Sequence, residues 1–170
     1  MPTFNETDQQ LLDLYDEINS RTNTPAELRT IFEIAVKNRQ LFPKIPNTRG
    51  EQTTQQYISS WIKKYVDEND NPPSSRIAHP KNACADPALK RIVQSVTGVS
   101  DKDALLQEKH HNLFMAAENV QGNLLEEYIA NNISPYGWLW CKGKVLRSVD
   151  FCTTDGQHFL QIKNKYNLKI

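Results

Sequence analysis

No stretch of this 170-residue chain approaches the ~18 consecutive apolar residues of a membrane span. The start lacks the apolar core of a secretory signal, so neither insertion nor export is predicted. Three cysteines, Cys84, Cys141 and Cys152, are too few for a disulfide framework and lack metal-type spacing, which suits a reducing cytoplasm. Glycine is scarce, and no two of the six stand in a phosphate-cradling loop or dinucleotide fingerprint. Net charge is missing as well: 20 Lys and Arg balance 20 Asp and Glu, so the chain as a whole has no basic signature for nucleic acid. Internal repeats and low-complexity tracts are absent, and the length suits one domain with a sizeable core.

What is present is unevenly placed. Residues 137–170 carry six Lys or Arg against Asp150 and Asp155, a net +4 that residues 1–136 offset with −4. This basic segment reads as three short strands, broken at Lys142-Gly143-Lys144 and at Asp155-Gly156, the latter a two-residue hairpin signal. A loop at Asp155-Gly156 sets Thr154 opposite Gln157, Phe151 opposite Leu160 and Asp150 opposite Gln161. Period-two alternation then gives an apolar face of Val149, Phe151, Leu160 and Ile162. Asp150, Gln161 and Lys163 project from the other face, within reach of one ion or phosphate because opposed side chains are about 5 Å apart. An Asp and a Lys on the wet face of a hairpin are also what a solvated surface looks like.

The rest of the chain reads as mainly helical. Leu11, Leu12, Leu14, Tyr15 and Ile18 form an apolar stripe over residues 5–19 behind a Thr7 or Asn5 cap. Thr24 and Pro25 open a second helix that carries Leu28, Ile31, Phe32, Ile34, Ala35 and Val36. A third, over residues 51–68, places Tyr57, Ile58, Trp61, Ile62 and Tyr65 at core spacing. Residues 67–87, rich in Pro and Asn, read as a long loop in which Arg76, His79 and Lys81, with Lys90 and Arg91 beyond, are candidate phosphate contacts or solvated cations. A short helix over 87–96 and a Ser100-capped turn lead to a long helix over 106–131. On a 100° wheel Leu113, Phe114, Ala117, Val120, Leu124, Leu125, Tyr128 and Ile129 fall within an arc of about 180°. Glu118 lies inside that arc, where a carboxylate needs a partner, a metal or a raised pKa; Gly122 and Glu126 continue its ridge. The adjacent His110-His111 cannot share a helix face, and Cys152 has no histidine at a spacing that supports thiol catalysis. Trp138 and Trp140 share a strand face and are predicted to fill core.

Asp150 followed by Gln161-x-Lys163, on the second and third strands of a meander, resembles the PD-(D/E)xK nuclease site in its Q-x-K variant. The wider string is tryptophans and Cys141 before a Gly turn, then Ser-Val-Asp-Phe and Leu-Gln-Ile-Lys-Asn-Lys. It is similar to type II restriction endonucleases of the SinI type. The run from Glu118 to Ile129 resembles the helix that precedes the meander in that superfamily, where a glutamate one turn after a small residue often completes a metal site. The resemblance implies an α+β (α/β) chain: a helical region over residues 1–104, then a partial nuclease core over 105–170, in one globular unit. It also implies a Mg²⁺ ion held by Asp150, Gln161 and Glu126, with Glu118 as second choice. Lys163 would orient the attacking water, and Lys142, Lys144 and Lys165 would meet the DNA. Double-stranded DNA with a short GGWCC-like site, a homodimer and a cognate methyltransferase of the same system follow from the same likeness. The chain stops seven residues after Lys163, earlier than the superfamily core, so a truncated enzyme is expected. The alternative is an inactive relic or a helical module that binds DNA or protein.

Overall fold

The computed structural model describes residues 2–22, 24–45, 52–76 and 87–163. Two compact units divide the chain, Met1–Pro72 with Glu126–Ile170 and Pro73–Leu125. The first holds α1 (Asp8–Asn19), α2 (Ala26–Lys37), α3 (Thr54–Asp70), the C-terminal turns of α5 (Asp101–Ile133) and an antiparallel sheet of β1 (Trp138–Trp140), β2 (Phe151–Thr153) and β3 (Phe159–Leu160). The second holds α4 (Pro87–Thr97) and the remainder of α5. The architecture is the α+β class implied by the resemblance.

Local chemistry fixes the helix starts. The Thr7 hydroxyl accepts the Gln10 N–H at 3.2 Å while the Gln10 side chain takes the Thr7 N–H at 2.8 Å, a reciprocal cap that satisfies two orphan donors. Thr53 and Gln56 repeat it at 3.2 and 3.1 Å and start α3 three residues later than the apolar spacing alone suggests. Pro25 takes the cap position of α2, and the Thr24 hydroxyl turns to the Asn19 side chain instead. Helix α3 runs on through Asp70, shortening the expected loop; residues 77–86, with His79 and Lys81, lie outside the described residues.

The helical stripes meet as their spacing requires. Leu11, Tyr15, Leu28, Phe32, Phe42, Trp61 and Tyr65 are fully buried. Tyr15 stacks on Phe32 at 4.6 Å, and Phe32 meets Trp61 edge-on at 5.2 Å. Among the described residues no polar or charged residue is buried outright. Burial of its ring pushes the Tyr15 hydroxyl up to about 12, because ionising it there would strand a charge.

Between β1 and β2 a turn over residues 142–146 docks on α3. The buried Trp61 indole donates to the Val145 carbonyl at 2.8 Å, and Val145 and Leu146 are buried. Gly143 has φ +67°, and a Cβ there would stand 2.3 Å from the Lys64 carbonyl oxygen, so only glycine fits this approach.

Sheet register follows the expected pairing. Phe151 faces Leu160 and Cys152 faces Phe159; on the other side Trp138, Leu139 and Trp140 face Thr153, Cys152 and Phe151. The loop is wider than two residues. Thr153 N–H reaches the His158 carbonyl at 3.0 Å, Gly156 N–H reaches the Thr153 carbonyl at 2.9 Å, and Asp155 Oδ1 takes the Gln157 N–H at 2.9 Å. The aspartate side chain thus takes the backbone N–H of the residue after the glycine, and the pairing is not shifted.

Phe159 and Leu160, on opposite faces of the third strand, are both exposed. Two expectations fail. Trp138 and Trp140 are half-buried rather than core. On α5, Leu113, Phe114, Leu124, Leu125 and Tyr128 are exposed, as is Glu118. Adjacent apolar pairs (Leu105-Leu106, Leu113-Phe114, Leu124-Leu125) sit 100° apart on the wheel, so this 33-residue helix has too broad an apolar surface for one neighbour to cover.

Gly143→Ala is expected to lower stability by about 2 kcal/mol or more, since it adds both a left-handed strain and a backbone clash. Thr7→Ala, which removes only a cap, should cost about 1 kcal/mol; denaturant titration of the two variants checks the order.

Candidate active site

Asp150 is held from three sides. Its carbonyl accepts the Cys141 N–H at 2.8 Å, and its N–H donates to the Leu160 carbonyl at 2.9 Å. Leu160 is already paired with Phe151, so two residues of β2's leading end oppose one of β3, the arrangement of a β-bulge. The Asp150 carboxylate then takes the Ile162 N–H on Oδ2 at 2.6 Å. This contact corrects the sequence reading that set Asp150 opposite Gln161. The third strand ends at Leu160 because a side-chain oxygen, rather than a backbone carbonyl, receives the next donor. Gln161 and Lys163 are exposed and flank the residue tied to Asp150.

Glu126, on the last turns of α5, lies within reach of the Asp150 charge. It is half-buried. Burial raises its pKa first, the Asp150 charge raises it further, a Trp140 side-chain hydrogen bond and the Lys144 charge lower it, and Glu68 on α3 raises it. A half-buried carboxyl whose pKa is raised by burial and by a second carboxylate is a place that a cation would favour. The Asp150 charge also acts on the buried Cys141 thiol, which lies 3.6 Å from the Cys152 sulfur. Raised by that neighbour and by burial, Cys141 is not a nucleophile.

The sequence-predicted cations separate. Lys142 donates to the Asn69 side-chain oxygen at 2.7 Å and lies over the Tyr65 and Trp140 rings at 5.5 and 5.4 Å. Lys144 is exposed, and Lys165 lies outside the described residues. Trp140 also stacks on Phe151 at 6.4 Å and walls a cleft of about 450 Å³ shared with Tyr65, Trp138, Asn69 and Asn131.

Of the residues named from sequence, Glu126 shares a unit with Asp150 and feels its charge, whereas Glu118 is exposed in the other unit. Among the described residues no group of three or more His, Cys, Asp and Glu is close enough to hold a metal. Sequence reading missed Trp140 as a hydrogen-bonding neighbour of Glu126, and Glu68 as a charge acting on it. Neither carries a local signal, since each reaches Glu126 from a different element.

A family model described as SinI restriction endonuclease matches residues 51–169, which include Glu126, Asp150, Gln161 and Lys163. The type II restriction enzyme SinI of Salmonella infantis is 29% identical over 153 residues, covering 85% of this chain and 66% of that protein. The type II restriction enzyme Eco47I of Escherichia coli is 27% identical over 155 residues, covering 83% and 64%. The chain thus spans just under two thirds of the length of these relatives. The match takes in α3, the whole of α5 and all three strands, and on it the chain belongs to the SinI restriction endonuclease family.

Proposed function

We propose that this chain is a type II site-specific deoxyribonuclease that hydrolyses phosphodiesters of double-stranded DNA with a divalent metal ion, Mg²⁺ being the natural choice. The observation that carries it is Glu126 with Asp150: two half-buried carboxylates from separate elements of one unit, with burial and the Asp150 charge both raising the Glu126 pKa. Hard oxygen donors of this kind fit Mg²⁺, with the Gln161 side-chain oxygen as a neutral third donor. When bound, the ion supplies charge neutralisation at the phosphoryl oxygens and acidifies water.

The chain's own residues do the rest. Asp150, fixed by both neighbouring strands, holds its carboxylate at one place, and the Ile162 N–H sets its orientation. Glu126 adds its carboxyl from the helix, and a cation nearby favours its charged form. Lys163, beside the tethered Ile162, orients the attacking water and offsets carboxylate charge. Lys144 and Lys142 would meet the phosphate backbone, Lys142 by leaving Asn69, and Lys165, outside the described residues, is assigned the same role. A short GC-rich site of the GGWCC kind, cleavage of both strands by a homodimer and a cognate methyltransferase complete the reading.

Incubating the purified chain with supercoiled plasmid and Mg²⁺ should give discrete fragments. EDTA, Asp150→Asn and Glu126→Gln should each abolish them, with a loss of about 100-fold or more for either variant. Uncut plasmid with folded protein would favour the inactive, DNA-binding alternative.

A second expectation follows from the raised pKa of Glu126. The folded state holds its proton more tightly than the unfolded chain does, so stability falls as pH rises from the usual carboxylate range through the raised value. Without metal, Glu126→Gln should therefore melt at a higher temperature than the parent at pH 7. The gap should close below pH ~4, where both carry a neutral side chain. Thermal melts across that range check the sign.

A further inference from the structure

Cys141 and Cys152 lend no side chain to the site described above, yet the fold sets their sulfurs 3.6 Å apart. Both thiols are free and buried. Cys152 lies inside β2, the central strand, paired with Leu139 on one side and Phe159 on the other. Cys141 follows the last residue of β1 and has left strand conformation, with φ −80° and ψ 59°. A disulfide bond is about 2.05 Å long, so the sulfurs must close by about 1.5 Å to form one. Because Cys152 faces Leu139, two residues before Cys141, the two cysteines are diagonal neighbours. Cα atoms so placed are roughly 7–8 Å apart, whereas a relaxed bridge spans about 4.4–6.8 Å. The backbone must therefore give, and Cys141, beyond the end of its ladder, gives more readily than Cys152, paired on both sides. The Cys141 N–H is the one that donates to the Asp150 carbonyl at 2.8 Å.

We propose that Cys141 and Cys152 are a modification site: hydrogen peroxide joins them in a reversible disulfide, and closing it withdraws the Cys141 N–H from Asp150. The chemistry is stepwise thiol oxidation. The Cys152 sulfur bonds to one oxygen of peroxide as the O–O bond breaks, and the other oxygen leaves as water with the thiol hydrogen. The resulting sulfenic acid condenses with the Cys141 thiol in contact with it. The S–S bond forms, the S–O bond breaks, and the hydroxyl leaves with the second thiol hydrogen as water. Each sulfur is oxidised by one electron, and the peroxide is reduced to two waters. Burial admits only a small oxidant, which reaches the pair when the end of β1 opens locally. A bridge that strains its backbone is readily reduced, so a small thiol restores the resting pair. In the oxidised chain Asp150 keeps its bonds to the Leu160 carbonyl and the Ile162 N–H and loses its hold on β1. The consequence for cleavage rests on the nuclease reading above; the bond and the loss of that hydrogen bond do not.

The test uses the full chain carrying Cys84→Ser, so that this pair supplies the only thiols, treated with hydrogen peroxide and then with dithiothreitol. Its intact mass should fall by about 2 Da as a monomer and return with the reductant. Trypsin cuts at Lys142, Lys144 and Arg147 between the two cysteines, so a non-reducing digest should contain one joined peptide. Amide hydrogen exchange read by NMR should show the Cys141 N–H exchanging about tenfold faster or more in the oxidised chain. Plasmid cleavage should fall about tenfold or more, as a displaced carboxylate requires, and recover with dithiothreitol. Adding Cys152→Ala should leave cleavage insensitive to peroxide; the mass, peptide and exchange measurements need no substitution at the pair. Sulfinic or sulfonic acids without a joined peptide would overturn the proposal. So would a joined peptide with Cys141 exchange within twofold of the reduced chain, since the bond would then form without reaching Asp150. If the reduced chain itself leaves plasmid uncut, the nuclease reading falls, and mass, peptide and exchange still decide this one.

Discussion

The buried hydrogen bond from the Trp61 indole to the Val145 carbonyl, 2.8 Å long, joins the helical part of the first unit to its sheet. Both groups are out of water, so losing either partner would strand the other at the full desolvation cost of about 1–3 kcal/mol. Around it, Gly143 closes to a distance that no other residue allows, and Val145 and Leu146 complete the packing on α3. A three-stranded sheet whose strands span two or three residues has little stability of its own. Its geometry is set by this attachment, and so is the position of Asp150, four residues after Leu146.

That attachment explains how a small sheet can hold a carboxylate steadily. Asp150 sits where the β1 connection ends and the β2 ladder begins, with backbone bonds to both neighbouring strands and a third contact through its side chain. Glu126 arrives from a helix whose last turns pack in the same unit. Burial and the nearness of Asp150 act on it in the same direction, while Trp140 and Lys144 act against them.

Much of this was legible from residue order. The helical stripes of α1 to α3 named their core residues correctly, because each faces one neighbour and period 3.6 is an undiluted signal there. The Asp155-Gly156 turn set the β2 to β3 register, and the Asp-to-Gln-x-Lys spacing pointed to the family that the comparison then showed. Helix α5 resisted the same reasoning. Its apolar residues surround the axis too broadly for a wheel to say which would be covered, and Glu118 was assigned an inward place that it does not occupy.

The sequence by itself determined the elements, the hairpin register and the family, since all three depend on neighbours within a turn or a strand of one another. Only the tertiary structure decided which glutamate feels the Asp150 charge, that Lys142 is engaged while Lys144 is exposed, and that the third strand stops at Leu160. Each of those outcomes depends on groups from separate elements competing for the same donor, the same charge or the same space. No local pattern encodes the result of such a competition.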